Sequence, residues 1–300
     1  MKTLDKCPVC AESSFDPFLT CKDYTSSGKV FDIVKCQSCG FTFTNPRPEV
    51  KDLWQYYKSE EYISHTDSNK GSLNRLYQLV RKYTLLKKLQ LVVKLIGRPG
   101  LKHPLTLLDI GCGTGAFLAV CKNAGFSCTG IEPDPDARNL AIKNSWSNVM
   151  DETELGNLQP GSFNLISLWH VLEHVPDLNQ RIEQVKELLM PTGRVIIAVP
   201  NRNSYDAKLY QEFWAAYDLP RHLYHFTPDT IRAIFEKHKM VVDQILPMRF
   251  DSFYVSLLSE KYRTGKLNYI KAIYTGIKSN ISAIRSGNEF SSQIYILKKI

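Results

Sequence analysis

The feature that most constrains this 300-residue chain is the segment LTLLDIGCGTG at residues 105–115. Its apolar residues predict a short buried strand, and three glycines with GxGxG spacing follow at Gly111, Gly113 and Gly115. Glycine permits a sharp turn from strand to helix and lets a ligand approach backbone N–H groups closely. Because a helix N-terminus also favours anionic groups, the segment predicts a ligand-binding turn.

From about residue 104 the sequence pattern alternates between strands and helices. Strands are predicted at 105–110, 127–132, 147–150, 163–169, 194–199, 240–246 and 293–298. Helices are predicted at 115–124, 134–144, 177–190 and 228–238, with a further helical stretch at 252–286. This alternation is typical of an α/β fold, in which helices cover both faces of a mostly parallel, Rossmann-like sheet.

Two acidic residues flank the glycine turn. Glu132, followed by Pro133, ends the second predicted strand, where an acid can accept two hydrogen bonds from a ribose diol. Asp109 precedes the first glycine by two residues. An acid at this position would repel a pyrophosphate, but it suits a cofactor that ends in a positively charged amino acid group. The GxGxG spacing also differs from the GxGxxG of dinucleotide binders. These residues predict a nucleoside cofactor; a tight structural turn with an unrelated surface glutamate is the alternative.

Four of the eight cysteines form two CxxC pairs, Cys7 with Cys10 and Cys36 with Cys39. Each CxxC turn can supply two thiolates to a tetrahedral Zn²⁺ ion, and two such turns joined by short strands make a zinc ribbon. Because four thiolates fill the coordination shell, we expect a structural Zn²⁺. Four free buried cysteines or a redox dithiol are the alternatives.

Breaker residues divide the chain into three predicted segments. A zinc ribbon is predicted at residues 1–48, and a helical linker or lid at 49–103. Within that linker, the basic helix 79–97 either packs on the sheet or lies on a membrane surface. Residues 104–300 are predicted to form the cofactor-binding domain, with the stretch 252–286 inserted before the last strand.

The bulk composition narrows the possible partners. A net charge of +8 fits an anionic partner such as nucleic acid, a nucleotide-linked sugar or a membrane surface. No run of five basic residues occurs, so a dedicated nucleic-acid tail is not expected. No apolar stretch reaches the roughly 18 residues that span a bilayer, and the N-terminus has no secretory apolar region, so we expect a cytoplasmic protein.

Two histidine clusters are candidates for chemistry. His170, Glu173 and His174 would share one face of a helical turn, and they could brace the loop, supply a general base at His170, or bind a metal. The second cluster, residues 218–228, mixes histidine, arginine and tyrosine just before a predicted helix. It is either an acceptor wall with His222 as base, or a loop that leads into a helix capped by its own side chains.

The segments LDIGCGTG, GIEP, LWHVLEHVPD and LLMPTGRVIIAVPN together resemble successive motifs of class I S-adenosylmethionine-dependent methyltransferases. The resemblance covers about residues 104–200 and the final strand, and it implies that the last strand is antiparallel. It also implies that S-adenosylmethionine is the cofactor, with Trp169 and His170 facing its methionine and the transferred methyl group. The other cofactor residues implied are Asp109, Gly111, Gly113 and Gly115 for the methionine part, Glu132 and Pro133 for the ribose, and Asp151 near the adenine.

Two finer resemblances extend this one. The motifs are near those of ubiquinone-biosynthesis O-methyltransferases, which carry Glu-x-x-Glu-His, a site that can bind a divalent cation, where this chain has His170 in place of the first glutamate. Imidazole suits Zn²⁺ or Fe²⁺ better than Mg²⁺. The order CPVC, KCQSCGFTFTNPRP and YYKSEEYISH is similar to the zinc-binding front end of nucleotide-sugar C-methyltransferases.

The sequence therefore predicts a methyltransferase that acts on an oxygen or carbon of a small molecule, glycan or lipid precursor. An RNA-modifying methyltransferase that grips RNA with the zinc ribbon is one alternative. The segment LWHVLEH lacks the Asn/Asp-Pro-Pro-aromatic stack that places an exocyclic base amine, so this alternative is disfavoured. A non-catalytic S-adenosylmethionine-binding protein is the other alternative.

Overall fold

The computed structural model describes residues 1–57, 72–100 and 104–300, with the backbone alone for 72–77. Part of the predicted linker and of the YYKSEEYISH motif lies outside these residues. The strands are β1 (Phe15–Lys22), β2 (Val30–Cys36), β3 (Thr42–Thr44), β4 (Thr106–Ile110), β5 (Ser127–Ile131), β6 (Asn148–Met150), β7 (Phe163–Trp169), β8 (Leu189–Pro200), β9 (Tyr224–His225), β10 (Met240–Pro247) and β11 (Ser292–Lys299). The α-helices are α1 (Val50–Leu53), α2 (Ser72–Ile96), α3 (Ala116–Asn123), α4 (Pro135–Ser145), α5 (Leu178–Leu188), α6 (Tyr205–Tyr210), α7 (Pro228–Lys237), α8 (Asp251–Thr264) and α9 (Tyr269–Arg285).

Seven strands form the larger sheet, in the order β10-β11-β8-β7-β4-β5-β6. Strands β4 to β8 pair in parallel, whereas β11 is antiparallel to both β8 and β10. The predicted α/β fold, with a mostly parallel seven-stranded sheet and an antiparallel last strand, is confirmed. Because β5, β4 and β7 are neighbours that run in one direction, the turns after their carboxyl ends lie at one edge of the sheet.

The central strands are buried on both faces. Leu107 and Leu108 are consecutive in β4, and neither is accessible to solvent. Such continuous apolar runs are typical of a parallel sheet covered by helices on both sides. Helix α2 covers one face, where its fully buried Val92 packs in one cluster with Leu107 and Phe117. The predicted basic helix therefore packs on the sheet through its apolar side.

One predicted boundary is wrong. The sequence predicts a helix up to residue 190 and a strand from 194, but α5 ends at Leu188 and β8 begins at Leu189. Leu189 pairs with Phe163 before the register between β7 and β8 shifts at a bulge. Pro191 and Gly193, residue types that favour turns, therefore lie inside an irregular strand. Pairing to the neighbouring strand overrides the local preference of proline and glycine here.

A second, smaller sheet joins the cysteine-rich segment to the rest of the chain. Its strand order is β1-β2-β3-β9, and β9 comes from residues 224–225. The hydroxyl of Thr42 donates to the carbonyl of His225 at 2.8 Å, and that of Thr44 donates to the carbonyl of His222 at 2.7 Å. The predicted segment 1–48 therefore shares one sheet with the residues that precede α7.

The predicted helical stretch 252–286 consists of two helices, α8 and α9, which pack against each other. Thr227 caps α7 by accepting from the N–H of Thr230, and Pro228 is the first helical residue, as the sequence predicts. None of the helices in the described ranges combines the length and apolar character needed to cross a membrane.

Candidate cofactor and acceptor site

The three glycines of the turn after β4 have different surroundings, although all have positive φ. A Cβ on Gly111 would lie 2.4 Å from Cγ2 of Val171, and one on Gly115 would lie 2.8 Å from Cα of Ala141. A Cβ on Gly113 would have no atom within 4 Å. Gly111 and Gly115 are therefore required for close packing, whereas Gly113 borders open space where a ligand can approach the backbone.

Glu132, at the end of β5, is held against this turn. Its buried carboxylate accepts from the N–H of Gly113 at 2.8 Å and from the N–H of Asp134 at 3.1 Å. Burial raises the pKa of Glu132, although these two hydrogen bonds act in the opposite direction. The sequence prediction that this acid lies beside the glycine turn matches the geometry, and its contact with a ribose stays a prediction.

Asp109, near the end of β4, lies deeper in the sheet. It is 2% exposed and accepts a 2.6 Å hydrogen bond from the hydroxyl of Ser167 in β7. Burial raises the pKa of Asp109 to about 7, against the effects of Ser167 and of the positive charge of Lys88. A cationic ligand group nearby would favour its ionised form.

Trp169 and Lys88 lie together at the end of β7. The ammonium of Lys88, from α2, lies 3.9 Å from the centre of the Trp169 ring, a cation–π distance. Burial lowers the pKa of Lys88, while the negative charges of Asp109 and Asp251 act to raise it. Trp169 Nε1 is buried and has no hydrogen-bond partner among the described residues. An unsatisfied donor beside a buried cation fits a polar or anionic ligand group at this point.

Lys88 is a site residue that the sequence motifs did not predict. It falls three residues after Leu85 and four before Val92. Residues at this spacing share one helix face. The helical periodicity therefore contained the signal that Lys88 points toward the sheet.

Asp151 stabilises the turn that follows β6 through hydrogen bonds with Thr153 and Arg138. It accepts from the N–H and hydroxyl of Thr153 at 3.0 and 2.9 Å, and from Arg138 at 2.9 Å. These hydrogen bonds lower its pKa. Arg138 also donates to the carbonyl of Pro133 at 3.1 Å, so it joins Asp151 to the turn after β5. A contact of Asp151 with adenine stays a prediction.

His170 follows β7 and lies between two carboxylates. Its Nε2 is 3.1 Å from Asp251 of α8, and its Nδ1 is 3.4 Å from Glu173. Burial acts to lower the pKa of His170, but the adjacent carboxylates of Asp251 and Glu173 outweigh it and raise the pKa to about 10. His170 is therefore a cation at neutral pH, which is a poor starting state for a general base.

Glu173, His174 and His222 converge instead. Their ligand atoms all lie within 4.8 Å of one another. Nδ1 of His174 is 3.1 Å from the carbonyl of Arg221, and Nδ1 of His222 is 2.9 Å from that of Ala216. Each carbonyl can only accept, so we assign the protons to Nδ1. Nδ1 of His174 also lies 3.0 Å from the hydroxyl of Tyr57, and Nε2 of His222 lies 3.6 Å from a carboxylate oxygen of Asp218.

The carboxylate of Glu173 completes this cluster. Glu173 is fully buried, and neither of its oxygens has a hydrogen-bond partner among the described residues. Burial lowers the pKa of His174 and lowers that of His222 well below its usual value. Both rings are therefore neutral at pH 7. The sequence predicted the pairing of Glu173 and His174. It did not predict that His222 would join them, because His222 follows His174 by 48 positions in the chain.

The four CxxC cysteines also converge. Cys7 Sγ lies 3.6 Å from Cys39 Sγ, Cys10 Sγ lies 3.5 Å from Cys36 Sγ, and all four sulfurs lie within 4.8 Å of one another. Tetrahedral Zn–S bonds of about 2.3 Å require S···S distances near 3.8 Å. This donor set fits a Zn²⁺ ion, whose presence stays a prediction.

The glycine turn, the buried acid after β5 and the antiparallel last strand define a class of protein, the class I S-adenosylmethionine-dependent methyltransferases. The methyltransferase domain family matches residues 76–244, more than half of the chain. The chain belongs to that family.

The chain is also similar to curated relatives in sequence and to solved structures in fold. The chain is similar to the ubiquinone biosynthesis O-methyltransferases of Xanthomonas euvesicatoria (31% identity, 32% of this chain and 43% of that protein) and Xanthomonas campestris (30%, 38% and 49%). It thus spans less than half the length of these relatives. The fold resembles a geranyl diphosphate methyltransferase in complex with S-adenosylmethionine (TM-score 0.54, 14% identity, 80% of this chain and 95% of that one). It also resembles a possible histamine N-methyltransferase from Thermotoga maritima (TM-score 0.53, 17%, 82% and 100%).

Gly113→Ala should weaken the binding of S-adenosylhomocysteine, measured by calorimetry, because a methyl group would enter the open space above the turn. The positive φ should cost about 1–2 kcal/mol of stability. Gly161→Ala is the matched control, since Gly161 also has positive φ and no atom within 4 Å of a Cβ. Gly115→Ala should destabilise the protein more than either, because of the contact with Ala141. Equal loss of affinity in the Gly113 and Gly161 variants would contradict the assignment.

The ion pair of His170 should make stability depend on pH. Because its folded pKa of about 10 is above the unfolded value of about 6.5, the pair stabilises fully below pH 6.5 and loses this effect as pH rises through 10. The stability difference between wild type and His170→Asn, from urea denaturation, should therefore shrink between pH 6.5 and about 10.5. Asparagine is chosen because it tolerates the positive φ at this position. A difference that stays constant with pH would show that His170 is not a cation in the folded state.

Proposed function

We propose that this chain transfers a methyl group from S-adenosylmethionine to a hydroxyl oxygen of a small-molecule acceptor bound at the Glu173–His174–His222 cluster. The observation that carries the proposal is the convergence of the neutral His222 with His174 and the buried carboxylate of Glu173, whose ligand atoms all lie within 4.8 Å of one another. The names of the curated relatives, which are O-methyltransferases, support oxygen as the methylated atom.

Five elements of the site would hold the cofactor. Glu132 would accept from the ribose hydroxyls in place of one backbone N–H. Asp109 would provide the negative charge for the amino group of the methionine part, and Lys88 the positive charge for its carboxylate. Trp169 would donate Nε1–H, which has no partner among the described residues. Gly113 would allow close approach to the backbone. When bound, S-adenosylmethionine supplies a methyl group on a sulfonium leaving group.

His222 would accept the proton of the acceptor hydroxyl as its oxygen forms the new bond to carbon. Two features suit it to this role. The hydrogen bond from Nδ1 to the carbonyl of Ala216 fixes the ring, and the carboxylate of Asp218 lies 3.6 Å from Nε2, where it would favour a proton on that atom. Glu173 would then stabilise the imidazolium that forms, as a buried carboxylate within the same cluster. His170, already a cation, would position Asp251 and Glu173 rather than accept the proton.

The same cluster could instead hold a divalent cation. The ligand atoms of His174, His222 and the unpartnered carboxylate of Glu173 lie within 4.8 Å of one another, and Nδ1 of each imidazole lies within hydrogen-bond distance of a backbone carbonyl. This arrangement is usual for histidines that ligate a metal. Two imidazoles and one carboxylate favour Zn²⁺ or Fe²⁺ over Mg²⁺. In that case the cation would hold the acceptor oxygen directly.

The N-terminal segment would fold as a zinc ribbon, with Cys7, Cys10, Cys36 and Cys39 as ligands. Four thiolates leave no open position, so this ion would be structural. By stabilising the ribbon, the ion would also support the acceptor segment, because the hydroxyls of Thr42 and Thr44 donate hydrogen bonds to the carbonyls of His225 and His222. The proposed units are therefore the ribbon (1–48), the linker (49–103) and the cofactor domain (104–300), with the ribbon supporting the acceptor segment.

Replacing His222 by glutamine should lower methyl transfer by about 10²-fold or more, whereas S-adenosylhomocysteine should bind with unchanged affinity. The assay follows radiolabelled methyl groups into fractionated extract of the source cells. His238→Gln is the matched control, because His238 is equally buried but bonds to Glu183 and Asn179 on α5. Failure of the wild-type protein to bind S-adenosylhomocysteine would contradict the assignment of S-adenosylmethionine as cofactor. Full activity of the His222 variant would contradict the assignment of His222 as the general base.

Metal analysis of the untagged protein should find about one Zn²⁺ per chain in the ribbon. Cys36→Ser should abolish that zinc and lower the melting temperature, because the ion stabilises a segment with little core of its own. Cys21→Ser is the control, since Cys21 is buried in the same segment but lies outside the sulfur cluster. Wild-type protein that contains far less than one zinc, yet melts at the same temperature after chelation, would contradict the proposal.

A further inference from the structure

The polarity of α9 is the reverse of what packing in a soluble domain requires. Its buried face consists of small residues, namely Ala272, Thr275, Gly276, Ser279 and Ala283. Its large apolar residues are exposed. These are Tyr269, Ile270, Ile273, Tyr274, Ile277, Ile281 and Ile284, with Ile270 at 84% and Ile284 at 60%, and Leu267 precedes them. We call this set the hairpin surface. A contiguous apolar stripe of this length on an exposed helix indicates an interaction site.

Packing inside the helical pair explains why the large residues cannot turn inward. Helix α9 lies so close to α8 that a Cβ on Gly276 would be 2.5 Å from Cδ1 of Phe253. Ser279 donates to the buried Asp206 at 2.6 Å, and Asn280 donates to the carbonyl of Arg249 at 2.9 Å. The rotation of α9 is therefore fixed, and its apolar stripe faces away from the protein.

The hairpin surface is also strongly basic. Residues 249–285 contain seven Lys and Arg but only two Asp and Glu, a net charge of +5 within a chain of +8. Both acids are engaged inside the protein, since Asp251 pairs with His170 and the fully buried Glu260 pairs with Arg263 at 2.7 Å. The exposed charges that border the stripe are Lys266, Lys271, Lys278 and Arg285.

Further exposed apolar residues lie on α8, which packs against α9, and on α2. Phe250 and Tyr254 at the start of α8 are 43% and 47% exposed. The ring of Tyr83, from α2, contacts Phe250 edge to face at 5.8 Å, and Leu79 and Leu86 lie exposed on the same helix.

We propose that the hairpin surface docks on an anionic lipid bilayer. A helix whose apolar face is bordered by lysine and arginine lies in the interface of such a membrane, with isoleucine and tyrosine side chains in the headgroup region. A second copy of the chain fits less well, because a two-fold contact would bring two identical basic surfaces together. Docking would place α8, which packs against α9 and carries Asp251 into the site, close to the lipid. It does not depend on methyl transfer.

The test is co-sedimentation with vesicles of phosphatidylcholine alone or with about one-third phosphatidylglycerol. Wild-type protein should bind the anionic vesicles, and about 1 M salt should weaken this binding at least tenfold, since salt screens surface charge. The double variant Ile270→Glu/Ile273→Glu should bind about tenfold more weakly or worse. Ile142→Glu is the matched control, because Ile142 is 43% exposed on α4. Helix α4 connects β5 and β6 at one end of the sheet, whereas α9 precedes β11 near the other end.

A second variant, Lys266→Gln/Lys278→Gln/Arg285→Gln, separates charge from apolar contact and should lose the preference for anionic vesicles. Unchanged melting temperatures would show that these exposed substitutions leave the fold intact. No sedimentation of wild type with anionic vesicles at low salt would overturn the proposal. So would a wild-type dimer, seen by sedimentation velocity without vesicles, that becomes monomeric in the Ile270→Glu/Ile273→Glu variant.

Discussion

The site depends on how the fold compensates carboxylates that are buried at one edge of the sheet. Removing a carboxylate from water costs several kcal/mol unless hydrogen bonds or an opposite charge replace the water. Backbone N–H groups provide this for Glu132, and the hydroxyl of Ser167 provides it for Asp109. Glu173 has no hydrogen-bond partner among the described residues and only His170 as a counter-charge, at 3.4 Å. The fold thus leaves one carboxylate undercompensated, at the place where we propose that the acceptor binds.

Local sequence patterns predicted much of this arrangement. The strand, the GxGxG turn and the acid at the end of the next strand follow one another closely, so their order fixes their geometry once the sheet is parallel. The paired CxxC motifs predicted the sulfur cluster for the same reason, because each pair is a single turn. Thr227 and Pro228 marked the start of α7 through rules that operate within one helical turn.

The contacts that the sequence did not predict are long-range. Asp251 reaches His170 from a helix 81 positions later, and that contact turns a candidate base into a cation. His222 joins Glu173 and His174 only because the chain between them first forms α5, β8, α6 and two short 3-10 helices. Sequence motifs relate residues that are only a few positions apart, so they cannot predict contacts between residues this far apart in the chain. The outward orientation of α9 was also hidden, because periodicity shows that a helix has two faces but not which of them the neighbouring helix covers.

The pairing of β3 with β9 has a structural cost for any form of the chain that lacks its first 48 residues. Strand β9 is the edge strand of the small sheet and pairs only with β3 there, so its backbone donors and acceptors would lose the partners they have in that sheet. The carbonyl groups of His222 and His225 would lose the threonine hydroxyls that now satisfy them. Phe41 and Phe43, which pack on Tyr224 and Phe226 in one core cluster, would leave an apolar gap above α7. The cysteine-rich segment and the methyltransferase fold therefore share one apolar core and one sheet, so each stabilises the other.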